Sequence, residues 1–182
     1  MNAAFAVSPV TPESWPDLAA LFEARGGPHY CWCMLYRHRL SQKMTKGEKR
    51  EAMQAIVAAG TPVGLLAYDG EEPIGWCSVA PRLTFPKLEY SRAMPTGGVA
   101  PAWAVTCFFV RKSHRHRKVT ETLLLAARAY AETHSGAVIE GYPWDSSSNK
   151  SAFKGHSSVF RAAGFIRDGA RWYAPLGVSS GG

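Results

Sequence analysis

The chain has 182 residues, a formal net charge of +7, 46% apolar and 19% charged residues. This is the composition of an ordinary globular protein, long enough to bury a core and short enough for one domain, expected over residues 1–177 with a frayed tail at 178–182. No apolar run approaches the roughly 20 residues that span a bilayer, and the first residues do not read as a secretion signal, so the expected compartment is the cytosol, with Cys31, Cys33, Cys77 and Cys107 reduced.

Phe5–Pro9 reads as a short strand. Thr11-Pro12-Glu13 supplies a capping hydroxyl, a proline for the first helical position and an early acid, which predicts a helix carrying Trp15, Leu18, Ala19 and Phe22 on one stripe. Gly26-Gly27-Pro28 ends it. His29–Arg39 is rich in aromatic and sulfur side chains. The single residue between Cys31 and Cys33 is poor spacing for structural zinc, so no metal is expected, and the segment reads as packing over a pocket. Thr45-Lys-Gly-Glu48 is a capping box and predicts a second helix through Met53, Ile56 and Val57.

Pro62–Tyr68 and Ile74–Ala80 read as two strands joined by the turn Asp69–Pro73. Residues 82–100 form a long connection, of the kind that often carries function, and read as an acceptor-side lid. Pro101–Val110 is a continuous apolar run, as in a strand buried on both faces. The chain then turns basic at Arg111, Lys112, Arg115, Arg117 and Lys118, and continues into a helix from about Arg117 to His134. Between Tyr90 and Thr120 there is no Asp or Glu. Cations at the positive end of a helix dipole, where backbone N–H groups lack partners, predict a polyanion site. After Gly136 come a strand at Ala137–Tyr142, a polar loop at Asp145–Lys150, a short helix at Ser157–Ala163 and a last strand at Arg171–Leu176.

Arg115-His116-Arg117-Lys118-Val119-Thr120, placed after the buried strand and before the leucines, resembles the Gln/Arg-x-x-Gly-x-Gly/Ala motif of the GNAT acyltransferases. Phe160-Arg-Ala-Ala163-Gly164-Phe165 resembles that family's second signature, Tyr-x-x-x-Gly-Phe. Lys118 and Thr120 stand at the two small-residue positions, and Phe160 stands where the tyrosine often serves as general acid. The resemblance implies an α/β (α+β) fold, with a mixed central sheet of about six to seven strands and about four helices. It implies an N-acyltransferase using acetyl-CoA or another acyl-CoA, acting on a small-molecule or peptide amine. It implies cofactor binding by Phe108, Phe109 and Val110 along the pantetheine arm, and by Arg115, His116, Arg117, Lys118, Val119 and Thr120 at the pyrophosphate. The segment between the first two helices would line the acceptor site with Tyr30 and Trp32, and Glu89 of the long loop is a further acceptor-side candidate.

Transfer to an amine calls for a base facing the cleft. Glu140 at the end of an apolar strand is the first candidate, and a structural ion pair with an arginine is its alternative. Tyr142 is the second candidate, as acid or as wall. A catalytically silent acyl-CoA-binding protein is a competing reading. A nucleic-acid binder using residues 111–118 is a weaker one, because no aromatics interleave with the charges. A second copy of the chain is a candidate partner, and a membrane is not.

Overall fold

A computed structural model describes residues 5–38, 43–145 and 153–177. The polar-loop positions 146–150, Arg39 and the expected tail at 178–182 lie outside these residues.

The elements run β1 (Ala6–Pro9), α1 (Trp15–Glu23), α2 (Lys46–Ala58), β2 (Leu65–Asp69), β3 (Glu72–Pro81), α3 (Pro86–Glu89), β4 (Ala102–Val110), α4 (Val119–Thr133), β5 (Val138–Gly141), α5 (Ser157–Ala162), β6 (Ile166–Asp168) and β7 (Arg171–Pro175). Single-turn 3₁₀ segments at Arg82–Thr84 and Lys112–His114 join them. The seven strands form one sheet in the order β1-β2-β3-β4-β5-β7-β6, antiparallel except for the β4–β5 pair. The sequence expectation of a mixed sheet is met. The short helix α3, inside the connection expected to be a loop, is the addition.

The start of α1 differs from expectation. The amide of Thr11 donates to Ser14 Oγ at 2.9 Å, and Ser14, not Thr11, stands at the N-cap, with Pro16 in the first turn. The two hydroxyl–proline pairs compete, and the turn closed between Thr11 and Ser14 moves the helix to the second. α2 carries the expected capping box, with Glu48 accepting from the Thr45 amide at 2.6 Å and Thr45 Oγ1 accepting from the Glu48 amide at 3.3 Å.

The helices cover both faces of the sheet. α4 and α5 press Leu123, Leu124, Ala127 and Phe160 onto one face. Gly75 on β3 admits α4, since a Cβ there would lie 2.8 Å from Val119. α1, α2 and the aromatic segment cover the other face with Leu18, Phe22, Trp32 and Met53 against Trp76. A third, smaller cluster joins Phe85, Leu88 and Met94 of the 82–100 connection to Ala104 and Tyr142.

The β4–β5 pair determines where a site can form. Its parallel register covers four positions, from Ala102 opposite Val138 to Val105 opposite Gly141. β4 then continues to Val110 beside β3 alone. Thr106 is an extra residue in β4: Ser78 pairs with Cys107 and Val79 with Val105, leaving Thr106 between them. Such a bulge bends a strand and increases its twist. β4 and β5 therefore part just after Val105, and among the described residues the β5-facing edge of Thr106–Val110 has no strand partner.

Candidate active site

The corner between β4 and α4 presents a row of free donors. The first helical bond of α4 is from the Thr122 amide to Lys118 O, at 3.0 Å. Among the described residues, none of the backbone N–H groups from His116 to Glu121 makes a short, well-aligned hydrogen bond to a protein acceptor, although residues 115–118 form a turn. His116 and Lys118 adopt left-handed backbone, with φ of 62° and 61°. This conformation favours glycine and strains a residue with a Cβ. Lys118 thus holds a backbone shape that glycine adopts without strain, at a conformational cost.

The cations of the corner divide into two sets. Arg111 donates to Pro73 O at 2.8 Å and pairs with Glu72 at 3.3 Å. Asp69 takes both His114 Nε2 at 3.2 Å and Arg117 at 3.4 Å. These contacts pin the turn to the β2–β3 hairpin. Lys112, Arg115 and Lys118 are exposed and pair with no carboxylate among the described residues. Free amides, a helix dipole and unpaired cations in one place fit an anionic phosphate group.

Phe160 fills the wedge where β4 and β5 part. It is fully buried, stands edge-on to Phe108 with centroids 6.3 Å apart, and packs so closely on Gly141 that a Cβ at that glycine would collide with its ring. No hydroxyl enters the wedge from this position. The Phe108 side chain is core, while its backbone belongs to the unpaired stretch of β4.

Glu140, expected as a base with a structural ion pair as its alternative, sits in a network of charged and polar partners. Its side chain is completely buried. One carboxylate oxygen accepts from Arg171 Nε at 2.8 Å and from the Gly97 amide at 3.1 Å. The other accepts from Arg82 Nη1 and from the Tyr142 hydroxyl, each at 3.1 Å. An ionised carboxylate offers about four lone-pair sites; Arg171, the Gly97 amide and Arg82 take three, and the single Tyr142 proton is shared between Glu140 and Pro95 O. The geometry is that of the ion-pair alternative.

Tyr142 is held in the same network. Its hydroxyl accepts from Arg82 and lies 2.9 Å from Pro95 O. Burial first, and then the charge of Glu140, push its pKa well above the ordinary phenol range, which makes it a weak proton donor at neutral pH. Its ring lines a cavity of about 420 Å³ with Trp144, Asp145, Lys154, Arg167 and Trp172.

The aromatic segment hangs over the opposite side of β4. Tyr30 is exposed, and Lys49 of α2 donates to its carbonyl at 3.2 Å. Trp32, expected to meet substrate, is instead fully buried, stacked on Trp15 at 5.7 Å and tilted against Phe22 at 5.3 Å. Left-handed turns at Trp32 and Cys33, with φ of 47° and 50°, swing it into the core. Cys33 accepts from Trp76 Nε1 at 3.0 Å. Contact with Cys107, partly offset by Cys31, and burial hold the Cys33 thiol well above its ordinary pKa. Contact with Cys33 and burial do the same for Cys31. Neither is a thiolate at neutral pH. Glu89 is exposed on α3 and has no hydrogen-bonded partner among the described residues. Among those residues no group of three or more potential ligands could hold a metal ion, and no helix is long and apolar enough to cross a membrane.

Sequence reasoning missed Arg82, Arg171 and Arg37. The first two each reach Glu140 across the chain. Arg37 is buried beside β3, where Nη2 donates to Val63 O at 2.7 Å and to Ser78 Oγ at 3.2 Å. Arg82 directly follows the apolar strand β3 and Arg171 opens β7, and neither position signals a pairing with Glu140.

Solved structures correspond to this chain over nearly its whole length. An acetyltransferase from Thermus thermophilus aligns over 96% of this chain and 99% of its own, with 20% identity and a TM-score of 0.53. The acetyltransferase of the GNAT family from Streptococcus pneumoniae aligns over 95% and 99%, with 12% identity and a TM-score of 0.56. The fold is that of the GNAT acetyltransferases. A GNAT-family acetyltransferase from Brucella melitensis, solved in complex with acetyl-CoA, aligns over 97% and 90%, with 11% identity and a TM-score of 0.53. No protein-family model matches the sequence, and no curated relative does. Within the GNAT fold, the 115–120 turn stands at the start of the helix that follows the parting strand.

Proposed function

We propose that this protein is an acyl-CoA-dependent N-acyltransferase, with acetyl-CoA as the acyl donor and a small-molecule or peptide amine as acceptor. The observation that carries the reading is the row of unpartnered amides from His116 to Glu121 at the end of a strand that has left its neighbour. Arg115, Lys118 and the amides of 116–120 would hold the pyrophosphate, and the free edge of Phe108–Val110 would lie along the pantetheine arm. The donor supplies a thioester carbonyl and a thiolate leaving group. Backbone N–H groups on the open edge of β4 polarise a carbonyl placed there, at no cost in reorganisation. The amine attacks directly in a ternary complex. Glu140 and Tyr142 act by fixing β5 and the 82–100 connection, not by moving protons.

The absence of a hydroxyl at Phe160 favours a second reading, a protein that binds acyl-CoA without turning it over. One experiment separates the two. A ligand of the folded state raises thermal stability by mass action, so acetyl-CoA is expected to raise the Tm. Thiol release from acetyl-CoA with a broad amine panel is expected only for the enzyme. No change in Tm at saturating acetyl-CoA would overturn both readings, and a Tm shift without thiol release would leave the silent binder.

A further inference from the structure

The charges of the interior do not balance. Arg37, Arg82, Glu140 and Arg171 are each nine-tenths buried or more. Arg82 and Arg171 share Glu140. Arg37 has no carboxylate partner among the described residues. All 14 acidic residues lie in the described segments, and none pairs with it. Its guanidinium stacks over Phe85 at 4.3 Å, Nη2 has two neutral acceptors, and Nε is buried with no acceptor among the described residues. Burial lowers its pKa to about 10, which leaves it cationic at neutral pH. An unpaired buried cation is costly, and neutral hydrogen bonds return only part of that cost.

Arg37 also stands next to the place where chemistry is proposed. Its acceptor Ser78 takes a hydrogen bond from Thr106 Oγ1 at 2.9 Å, and Thr106 is the bulge at which β4 leaves β5. Ser78 faces Cys107 across the β3–β4 pair. The rim above is cationic. Lys49 is tied to Tyr30 O, and the amide of Lys87 donates to Tyr36 O at 3.3 Å, so the two lysines flank the segment from α2 and from α3. With burial as the larger cause, both ammonium groups lower the pKa of His38 between them.

We propose that the acceptor is an amine that also carries a carboxylate, and that Arg37 is the residue that holds the carboxylate. The inference rests on the acyltransferase reading, whose acceptor it narrows. A guanidinium binds a carboxylate through charge-assisted hydrogen bonds, roughly twice as strong as neutral ones. The surplus on Arg37 is a single charge, which a monoanionic carboxylate neutralises and a phosphate dianion overshoots. Lys49 and Lys87 draw the anion inward.

The test uses the full chain saturated with CoA and three amine pairs that differ only in the carboxylate: L-leucine and isopentylamine, L-phenylalanine and 2-phenylethylamine, L-lysine and 1,5-diaminopentane. Binding is read by thermal stabilisation, and turnover by thiol release from acetyl-CoA. The expected result is that at least one carboxylate-bearing amine binds about 10- to 100-fold more tightly than its partner. Arg37→Gln removes that preference, Arg37→Lys keeps part of it, and the response to acetyl-CoA is unchanged in both. Equal binding within every pair, or a preference that survives Arg37→Gln, overturns the inference, and so does the failure of all three carboxylate amines to bind. Should Arg37→Gln not fold, Lys87→Glu on the rim replaces it. A reduced preference then supports the inference, and an unchanged one overturns it. A wild-type protein whose Tm ignores acetyl-CoA fails the acyltransferase reading instead. A normal acetyl-CoA response without carboxylate discrimination fails this inference alone.

Discussion

The two cationic regions of the molecule are built on opposite plans. At the β4–α4 corner, Arg111 to Lys118 crowd together in sequence and point largely to water, and their acids, Asp69 and Glu72, come from one hairpin. In the interior the charges are single and far apart in sequence. Arg82 reaches Glu140 across 58 residues and Arg171 reaches it across 31. The corner leaves donors unused, as a ligand site does, whereas the Glu140 carboxylate is fully buried and bonded to an arginine on each oxygen, as a structural joint is. A run of charge in sequence therefore marked an open surface, and an isolated charge in an apolar strand marked a closed pair.

The largest effect that would break this contrast lies at Glu140. Glu140→Gln leaves Arg82 and Arg171 buried without an anion, and is expected to destabilise the protein by about 3–5 kcal/mol, measured as a fall in the urea midpoint. A variant as stable as wild type but inactive would return Glu140 to the role of base. Next is the wedge. Gly141→Ala drives a methyl into Phe160 and is expected to cost about 1–3 kcal/mol in the same measurement. Unchanged stability would mean that the β4–β5 seam is looser than described.

At the corner the expected effects are smaller and differ in kind. Lys118→Gly relieves the left-handed backbone at the helix start, offset by the added freedom of glycine in the unfolded chain. A gain of about 1 kcal/mol or less is expected in thermal melts, with acetyl-CoA stabilisation retained. Arg115→Ala is expected to leave the Tm of the free protein unchanged, while acetyl-CoA binding weakens by about three- to tenfold. Added salt would narrow the difference between variant and wild type, since exposed charges are screened. Equal affinity at low salt would remove Arg115 from the cofactor site.

Most of the fold was legible because its signals are local. The Thr45–Glu48 capping box, the Asp69–Pro73 turn, the apolar run into Val110 and the stop at Gly164 each sit within a few residues of what they control. The site was legible only at the corner, for the same reason. Glu140 announced itself as a charge in an apolar strand, yet its role depended on Arg82 and Arg171. Trp32 shares its stretch with exposed Tyr30, and only the left-handed turn at 32–33 sends one inward and the other out. Arg37 gave no signal among the aromatics, because its isolation emerges only when every acid has been placed.

The four-position seam between β4 and β5 divides the sheet into two leaves, β1 to β4 and β5 to β7, joined along a short edge. Whatever extended molecule settles along Thr106–Val110 becomes an additional rung of the ladder and lengthens that seam. Occupancy would then be felt as mechanical coupling between the leaves, slowing amide hydrogen exchange in both, including strands the ligand never touches.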